Sequence, residues 1–245
     1  MPRCHTLASG KTWNCWQGCA KSLLSLRERV RVGASPLAEL IPEASPAPPL
    51  LVVLSGPSGA GKDAVLAELR KLERPWHFAV TATTRPMRDG ERDGADYVFL
   101  DHDTFAKMRE RDEFLECAEV YGRWYGVPRS QVRDALHSGK DVILKIDVQG
   151  AATVRRMAPE ALLVFLVPAS MDDLRQRLVG RMSESAPELE LRLGMAKLEL
   201  AHINEYDYRV VNEDGGIGLQ QAAADIDAII AAEKCRVTPR LVQLL

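Results

Sequence analysis

Short apolar runs alternate along the chain with longer stretches in which apolar residues recur at helical spacing. Residues 50–54 and 162–167 are apolar throughout, and residues 141–147 are apolar in the middle and charged at the end. Continuous apolar runs of this length are typical of parallel strands that are buried on both faces. The alternation of such strands with helices predicts an α/β fold in which helices flank a parallel core sheet.

Between residues 54 and 141 the pattern changes to shorter segments. Residues 114–120 and 123–127 predict two paired strands around Gly122, and we expect a small β-rich insertion here. Asp103 and Ser170 are the predicted N-caps of two helices. Further strands are predicted at residues 78–82, 96–100 and 207–212, and helices at residues 64–69, 104–110, 128–137, 148–157, 171–181 and 219–237.

A glycine-rich segment separates the first predicted strand from the first predicted helix. Its sequence is Gly56-Pro57-Ser58-Gly59-Ala60-Gly61-Lys62-Asp63. This spacing of glycines and lysine is typical of a phosphate-binding loop, in which backbone N–H groups, a helix N-terminus and a lysine surround phosphate oxygens. A glycine-rich turn without a ligand is the alternative. The pattern usually ends in a Ser or Thr that binds Mg²⁺, whereas Asp63 stands here.

Charged side chains follow the predicted strands at places where ligands bind. Lys145 and Asp147 stand at the carboxyl end of a core strand, and ligands of open α/β sheets collect beyond such ends. Arg85 and Arg88 flank a proline in a polar turn, which suits an anion, although a solvated surface loop is the alternative reading.

A basic, interrupted helical pair follows the last apolar core strand. Arg175, Arg177, Arg181 and Arg192 bracket residues 182–187. Such a segment is expected to close over phosphates as a lid. The alternative is a pair of ordinary solvated helix faces.

Composition narrows the class of partner. The 245 residues carry a formal net charge of −2, with 46% hydrophobic and 27% charged residues. The balanced charge gives no basis for nucleic-acid binding, and no apolar stretch approaches the roughly 18 residues that span a bilayer, so we expect small-molecule partners, no membrane and a cytoplasmic location. The five cysteines form neither a C-x-x-C pair nor a metal set, which fits a reducing compartment.

Residues 1–48 differ in character from the rest of the chain. Basic residues outnumber acidic ones, and the segment closes with a proline-rich stretch. We expect an extension that is dispensable for folding and catalysis: a disordered tail, a misassigned start or an organelle leader. A transit peptide would direct the protein to a plastid or mitochondrion. The sequence leaves the oligomeric state open.

Seven motifs occur in the order and near the spacing of one known family. They are Ser55-Gly56-Pro57-Ser58-Gly59-Ala60-Gly61-Lys62, Thr83-Thr84-Arg85-Pro86, Asp96-Tyr97, Phe114-Leu115-Glu116, Tyr125-Gly126, Ile146-Asp147-Val148-Gln149-Gly150 and Tyr206-Asp207-Tyr208. Through them the chain from about residue 50 to 234 resembles guanylate kinase, in particular the subgroup whose phosphate loop ends in Gly-Lys-Asp, as in plant organelle and some bacterial enzymes.

The resemblance implies an activity and an architecture. The activity is transfer of the terminal phosphoryl group of ATP to GMP, in purine nucleotide metabolism. The architecture is a P-loop nucleoside-monophosphate kinase fold over residues 49–245. Its core would comprise residues 50–82 and 128–245, its GMP-binding insertion residues 83–127, and its helical lid residues 178–195.

The resemblance also implies roles for individual residues and a cofactor. Glu116 would accept hydrogen bonds from guanine N1–H and the 2-amino group. Mg²⁺ would be held through the phosphates, with Asp63 as a candidate ligand. The implied ATP-binding residues are Gly56, Pro57, Ser58, Gly59, Ala60, Gly61, Lys62 and Asp63. The implied GMP-binding residues are Thr81, Arg85, Arg88, Tyr97, Glu116, Tyr125 and Asp147, and the implied catalytic residues are Lys62, Arg181, Arg192 and Asp147.

Three residues depart from the family pattern. Asp63 replaces the Ser or Thr, Lys145 stands where the family has an aspartate, and Val127 stands where a hydroxyl residue often contacts GMP. Because a carboxylate beside phosphates needs a cation, we hypothesise an Asp63–Lys145 ion pair that lines the site. The alternative is two independent substitutions, with Asp63 binding the metal through water and Lys145 pointing to solvent.

Two other classes of protein remain as rivals. A non-catalytic guanylate-kinase-like module that binds proteins typically loses the phosphate loop, whereas Gly56, Gly61 and Lys62 are all present. A regulatory GTPase would need an Asn-Lys-x-Asp stretch to bind guanine, and the sequence has none. The sequence therefore favours the enzyme.

Overall fold

The computed structural model describes residues 46–120, 122–180, 186–213 and 216–244. The chain divides into two units, Met1–Pro46 and Ala47–Leu245, and every element described below belongs to the second. The expectations for residues 1–45 and for Arg181 lie outside the described residues.

The described strands and helices follow one another largely as the hydrophobic pattern predicts. The strands are β1 (Leu51–Ser55), β2 (Trp76–Phe78), β3 (Ala82–Thr83), β4 (Val98–Phe99), β5 (Phe114–Val120), β6 (Arg123–Pro128), β7 (Asp141–Lys145), β8 (Leu162–Pro168) and β9 (Tyr208–Asn212). The helices are α1 (Lys62–Lys71), α2 (His102–Glu110), α3 (Arg129–His137), α4 (Val148–Met157), α5 (Met171–Gly180), α6 (Ala186–Leu200) and α7 (Gly216–Glu233). A 3₁₀ turn, Ala201–Glu205, follows α6.

The core sheet confirms the predicted parallel architecture. Its strand order is β2-β7-β1-β8-β9, and every neighbouring pair is parallel. On one face Leu69 of α1 and Ile226 of α7 join a buried apolar cluster, and on the other Val132 of α3 and Val154 of α4 join a second. Both faces of the sheet are therefore covered, which is why its central strands β1, β7 and β8 carry runs of apolar residues.

A second sheet forms the predicted β-rich insertion. Its strand order is β4-β3-β6-β5, with β5 and β6 antiparallel and β3 and β4 parallel. Phe105 of α2 stacks on Phe114 of β5 at a centroid distance of 4.4 Å. Together with buried Ala82 these rings give the insertion an apolar cluster of its own.

The strand predicted at residues 78–82 is wrong, because the chain leaves the core sheet after Phe78 and joins the insertion sheet at Ala82. Gln131 of α3 spans the change of sheet. Its Oε1 accepts a hydrogen bond from the Val80 N–H at 2.8 Å, and its Nε2 donates to the Val80 carbonyl at 2.7 Å. The backbone polar groups of Val80, which lie outside both sheets, are thereby satisfied.

One predicted helix cap is wrong and one is confirmed. Asp101, not Asp103, caps α2, because the Asp101 Oδ1 accepts from the Thr104 N–H at 2.7 Å, while Asp103 lies in the first helical turn. The Ser170 Oγ accepts from the Asp173 N–H at 3.0 Å at the start of α5, as predicted.

The two helices in the predicted lid region pack on each other. Leu174 and Leu178 of α5 form a small buried cluster with Leu193 and Ala196 of α6. Across the described residues, no helix combines the length and the apolar character needed to cross a membrane.

Candidate active site

The glycine-rich segment forms a tight loop between β1 and α1. Gly56 has a φ of +141°, and a Cβ at this position would overlap the Leu166 carbonyl of β8. Only glycine fits this approach of two backbones. The loop is therefore seated against β8, with α1 beginning at Lys62.

Two side chains bind a carbonyl group of this loop: Asn212, which was not predicted as a site residue, and Arg177, which was predicted to belong to the lid and not to contact the loop. The Asn212 Nδ2 at the end of β9 donates to the Ala60 carbonyl at 2.8 Å, and the Arg177 Nη1 of α5 donates to the same oxygen at 3.1 Å. The Arg177 Nη2 also donates to the Asn212 carbonyl at 2.7 Å. The position of Asn212 at the carboxyl end of a core strand was the available signal.

Lys62 lies folded against its own loop. Its Nζ donates to the Gly56 carbonyl at 2.6 Å and to the Pro57 carbonyl at 3.1 Å. Burial lowers the pKa of Lys62, although the negative charges of Glu199 and Asp63 oppose that shift. The lysine is thus held next to the loop. Its buried ammonium group costs free energy unless an anion pairs with it.

Glu199, near the end of α6, was not predicted to belong to this site. Its Oε2 accepts a hydrogen bond from the Ser58 N–H at 3.0 Å, so α6 contacts the phosphate loop directly. Burial raises the pKa of Glu199, while the Ser58 hydrogen bond and the Lys62 charge oppose the shift. No local motif marks this glutamate, since its partner is 141 positions away in sequence.

A cavity of about 270 Å³ brings most of the predicted residues together. The predicted residues that line it are Ser58, Lys62, Thr81, Arg88, Tyr97, Glu116, Tyr125, Asp147 and Arg192. Lys145 and Glu199 also line it. Asp63 and Arg85 line an adjoining cavity that shares Lys145 and Tyr97 with the first. The cavity lining does not include Gly56, Pro57, Gly59, Ala60 or Gly61, which form the loop beside it.

Glu116 is the most deeply buried carboxylate of this cavity, with 5% of the residue exposed. Gly150, in the first turn of α4, makes room for it, because a Cβ at this position would come within 2.7 Å of the Glu116 Oε2. Burial, with a smaller contribution from the Asp147 charge, raises the pKa of Glu116 to about 8. Such a group can accept hydrogen bonds from a ligand's N–H groups once it is ionised.

The turn that carries the two predicted arginines is held by Glu91. Arg85 binds the Glu91 carboxylate with two contacts, Nη2 to Oε1 at 2.7 Å and Nη1 to Oε2 at 3.0 Å. The Arg88 N–H also donates to the Glu91 Oε2 at 2.8 Å. The Arg88 side chain reaches the cavity, whereas Arg85 contacts the ring of Tyr97, with its Cζ 5.2 Å from the ring centroid.

The hypothesised contact between Asp63 and Lys145 is present. The Lys145 Nζ lies 2.6 Å from the Asp63 Oδ1 and donates a second hydrogen bond to the Tyr97 hydroxyl at 3.0 Å. The Lys145 side chain is 17% exposed and that of Asp63 is 66% exposed, so the lysine does not point to solvent. Although burial acts in the opposite direction, Asp63 and Tyr97 raise the pKa of Lys145.

Two carboxylates stand near the phosphate loop as candidates for a metal. Asp147 caps α4, where its Oδ1 accepts from the Gly150 N–H at 2.8 Å, and Asp63 lies in the first turn of α1. Within the part of the chain that the structure describes, no three His, Cys, Asp or Glu side chains gather as a metal-binding group.

Comparison with known proteins gives one consistent family. The family model described as guanylate kinase matches residues 49–233. "Guanylate kinase 2, chloroplastic/mitochondrial" of Oryza sativa subsp. japonica is 44% identical over 204 residues, which is 83% of this chain and 71% of that protein. The guanylate kinase of Clostridioides difficile is 41% identical over 77% of this chain and 90% of its own length. The crystal structure of guanylate kinase from Anaplasma phagocytophilum has a TM-score of 0.65 at 33% identity, covering 79% of this chain and 89% of that one.

Proposed function

The chain belongs to the guanylate kinase family, and we propose that it transfers the terminal phosphoryl group of ATP to GMP, giving ADP and GDP. The main support for the proposal is that Lys62 of the phosphate loop and the buried carboxylate of Glu116 line the same cavity. Phosphoryl transfer requires two nucleotides held in line and cations that neutralise charge, without a nucleophilic side chain.

On the donor side, Lys62 and the backbone of the loop from Gly56 to Asp63 hold the phosphates of ATP. Arg192 of α6 lines the same cavity and supplies positive charge to the transferring group. The same role is proposed for Arg181, by the family resemblance alone. Each of these groups acts by electrostatics and positioning.

On the acceptor side, a cluster of arginine and tyrosine side chains holds the phosphate of GMP. Its members are Arg85, Arg88, Tyr97 and Tyr125. Tyr97 and Tyr125 pack edge to face with ring centroids 6.2 Å apart, which fixes both hydroxyl groups near the cavity. Asp147, which lines the same cavity, is proposed to lie beside GMP and the metal ion.

Thr81 and Glu116 contact the guanine base. Guanine presents N1–H and a 2-amino group side by side, and one carboxylate can accept from both. Adenine offers a lone pair at N1, so AMP would leave the buried Glu116 carboxylate without its donors.

Mg²⁺ is the proposed cofactor, bound with ATP, and the donor set fits it. This ion is commonly held by phosphate oxygens, water and one or two carboxylates, and Asp63 with Asp147 provides carboxylates without a closed protein cage. When bound, Mg²⁺ neutralises charge on the donor phosphates.

The catalytic reading is favoured over a non-catalytic protein-binding module. The phosphate loop is complete from Gly56 to Lys62, and the curated relatives are named as kinases. For location we propose the cytoplasm. The organelle names of the rice relative keep the plastid or mitochondrion as the alternative, in which residues 1–48 would act as a transit peptide.

The test compares kcat/KM for GMP and AMP in wild type, Glu116→Gln and Glu119→Gln. Glu119 lies on the same strand but is exposed, and it serves as the matched control. We expect wild type and Glu119→Gln to prefer GMP by about 10⁴, and Glu116→Gln to lose at least about tenfold of that ratio. A wild-type ratio near unity would remove the guanylate assignment, and an unchanged ratio in Glu116→Gln would remove only the role of Glu116.

A further inference from the structure

The ammonium group of Lys145 connects three parts of the molecule. Lys145 ends β7, Asp63 lies in the first turn of α1 at the end of the phosphate loop, and Tyr97 belongs to the insertion. The Nζ atom is 2.6 Å from the Asp63 Oδ1, 3.0 Å from the Tyr97 hydroxyl oxygen and 4.6 Å from the centroid of the Tyr97 ring. One side chain therefore connects the proposed donor side to the proposed acceptor side.

The chemistry of this contact fixes the direction of the Tyr97 hydroxyl. An ammonium group has three donors and no acceptor, so the Tyr97 oxygen accepts from Lys145 and its own hydrogen points elsewhere. Tyr97 lines the main cavity, and the cation beside its oxygen strengthens the hydroxyl as a donor. The ring is also restrained by Arg85 and by Tyr125. The hydroxyl is thereby prepared to donate to an anion in the cavity.

Asp63 provides the anchor for Lys145. A largely buried ammonium is costly unless it is paired, and the Asp63 carboxylate lies nearer to the Lys145 Nζ, at 2.6 Å, than the Tyr97 hydroxyl does, at 3.0 Å. Asp63 itself is mostly exposed, so it remains solvated if the lysine is removed. The pair is therefore asymmetric, because the lysine depends on the aspartate more than the reverse.

We propose that Lys145 is a positioning residue for the phosphate of the acceptor nucleotide: anchored by Asp63, it sets the Tyr97 hydroxyl to donate into the cavity. The proposal rests on the proposed function, since it takes a nucleoside monophosphate as the ligand. It also predicts that a change on the donor side affects binding on the acceptor side. A substitution at Asp63, on the donor loop, weakens binding of the acceptor.

The test measures binding of GMP and of guanosine by calorimetry to the full chain, without ATP or Mg²⁺. Guanosine lacks the phosphate, so it reports any damage to the base site or the fold. The variants are Tyr97→Phe, Lys145→Met, the double variant, Lys145→Arg and Asp63→Asn. Lys140→Met, which removes an exposed lysine just before β7, is the matched control.

We expect Tyr97→Phe and Lys145→Met each to raise the Kd for GMP about tenfold, the loss of one hydrogen bond to a charged group. The double variant should bind GMP no more weakly than Tyr97→Phe alone, because Lys145 acts through that hydroxyl. Lys145→Arg should retain most of the affinity, and Asp63→Asn should raise the Kd several-fold. The Kd for guanosine should stay within about twofold of wild type in every variant.

Three results with the variants would overturn the proposal. Equal losses from Lys145→Met in the wild-type and Tyr97→Phe backgrounds would mean that the lysine contacts the phosphate itself. An equal loss of affinity for guanosine in Lys145→Met would mean that Lys145 has only a structural role. Unchanged GMP binding by Asp63→Asn would mean that Asp63 does not hold Lys145 in place. A wild-type chain that binds no GMP would overturn the proposed function and this proposal together, whereas normal wild-type binding with additive losses overturns this proposal alone.

Discussion

The carboxyl group of Glu116 makes base recognition depend on pH. Its pKa is raised to about 8 in the ligand-free protein, mainly by burial. Guanine needs the ionised form, so below pH 8 the group must release a proton before it can accept both hydrogen bonds. Affinity should therefore rise with pH and level off above about 8.

We predict that the Kd for guanosine falls about fifteenfold between pH 6.5 and pH 8, as expected for one group with this pKa. Guanosine is used because the phosphate of GMP itself titrates near pH 6. Calorimetric titrations across this range provide the measurement, with Glu116→Gln as the control that should give a flat profile. A flat profile for wild type would show that Glu116 is already ionised or does not contact the base.

Some site residues were accessible to sequence reasoning and others were not. The Asp63–Lys145 contact followed from the charge that each would place beside phosphates, together with the rule that strand ends converge. Glu199 and Arg177 were not assigned to the loop because their partners lie 141 and 117 positions away, and no local pattern encodes such a contact. Asn212 could be recognised only as a polar residue at the end of a strand, because the sequence does not show that its partner is the Ala60 carbonyl.

At the scale of elements, β9 and α5 hold the phosphate loop in place through the Ala60 carbonyl. Asn212 is 4% exposed, and its amide is one of two donors to that oxygen. We predict that Asn212→Ala lowers the free energy of unfolding by about 1–2 kcal/mol and raises the KM for ATP several-fold, leaving the KM for GMP unchanged. Denaturant unfolding and steady-state kinetics measure both.

The matched control for this change is Asn204→Ala, because Asn204 is exposed in the 3₁₀ turn. Equal increases in both KM values for Asn212→Ala would indicate a general distortion and would contradict a clamp specific to the donor loop.

Some of the strands and helices could be predicted from the sequence, and some of their boundaries could not. Strands β1, β7 and β8 were predicted because strands buried on both faces carry runs of apolar residues. The exchange of sheets after Phe78 could not be predicted, since it depends on Gln131, which is distant in sequence and satisfies Val80 only in the folded chain. Helix caps separated by two residues, such as Asp101 and Asp103, are equivalent by composition, and only backbone geometry distinguishes them.

For the molecule as a whole, the start of the folded second unit can be placed by its hydrogen bonds, and Leu50 already takes part in one. This residue is buried, and its N–H donates to the Asp141 Oδ1 at 2.8 Å. We predict that removal of residues 1–48 leaves the melting temperature within a few degrees of that of the full chain, and kcat/KM within about twofold. Removal through residue 55, which deletes β1 from the centre of the core sheet, should abolish folding. A soluble truncation at 48 that loses more than half its activity would move the domain boundary upstream.

Phosphoryl transfer from ATP to GMP is tested by separating and quantifying the nucleotides after the full chain is incubated with ATP, GMP and Mg²⁺. We expect ADP and GDP to form in equal amounts, neither of them to form when GMP is left out, and Lys62→Met to reduce both together by at least about a hundredfold. Binding of GMP without formation of GDP, or formation of ADP without GDP, would show that the chain does not transfer a phosphoryl group from ATP to GMP.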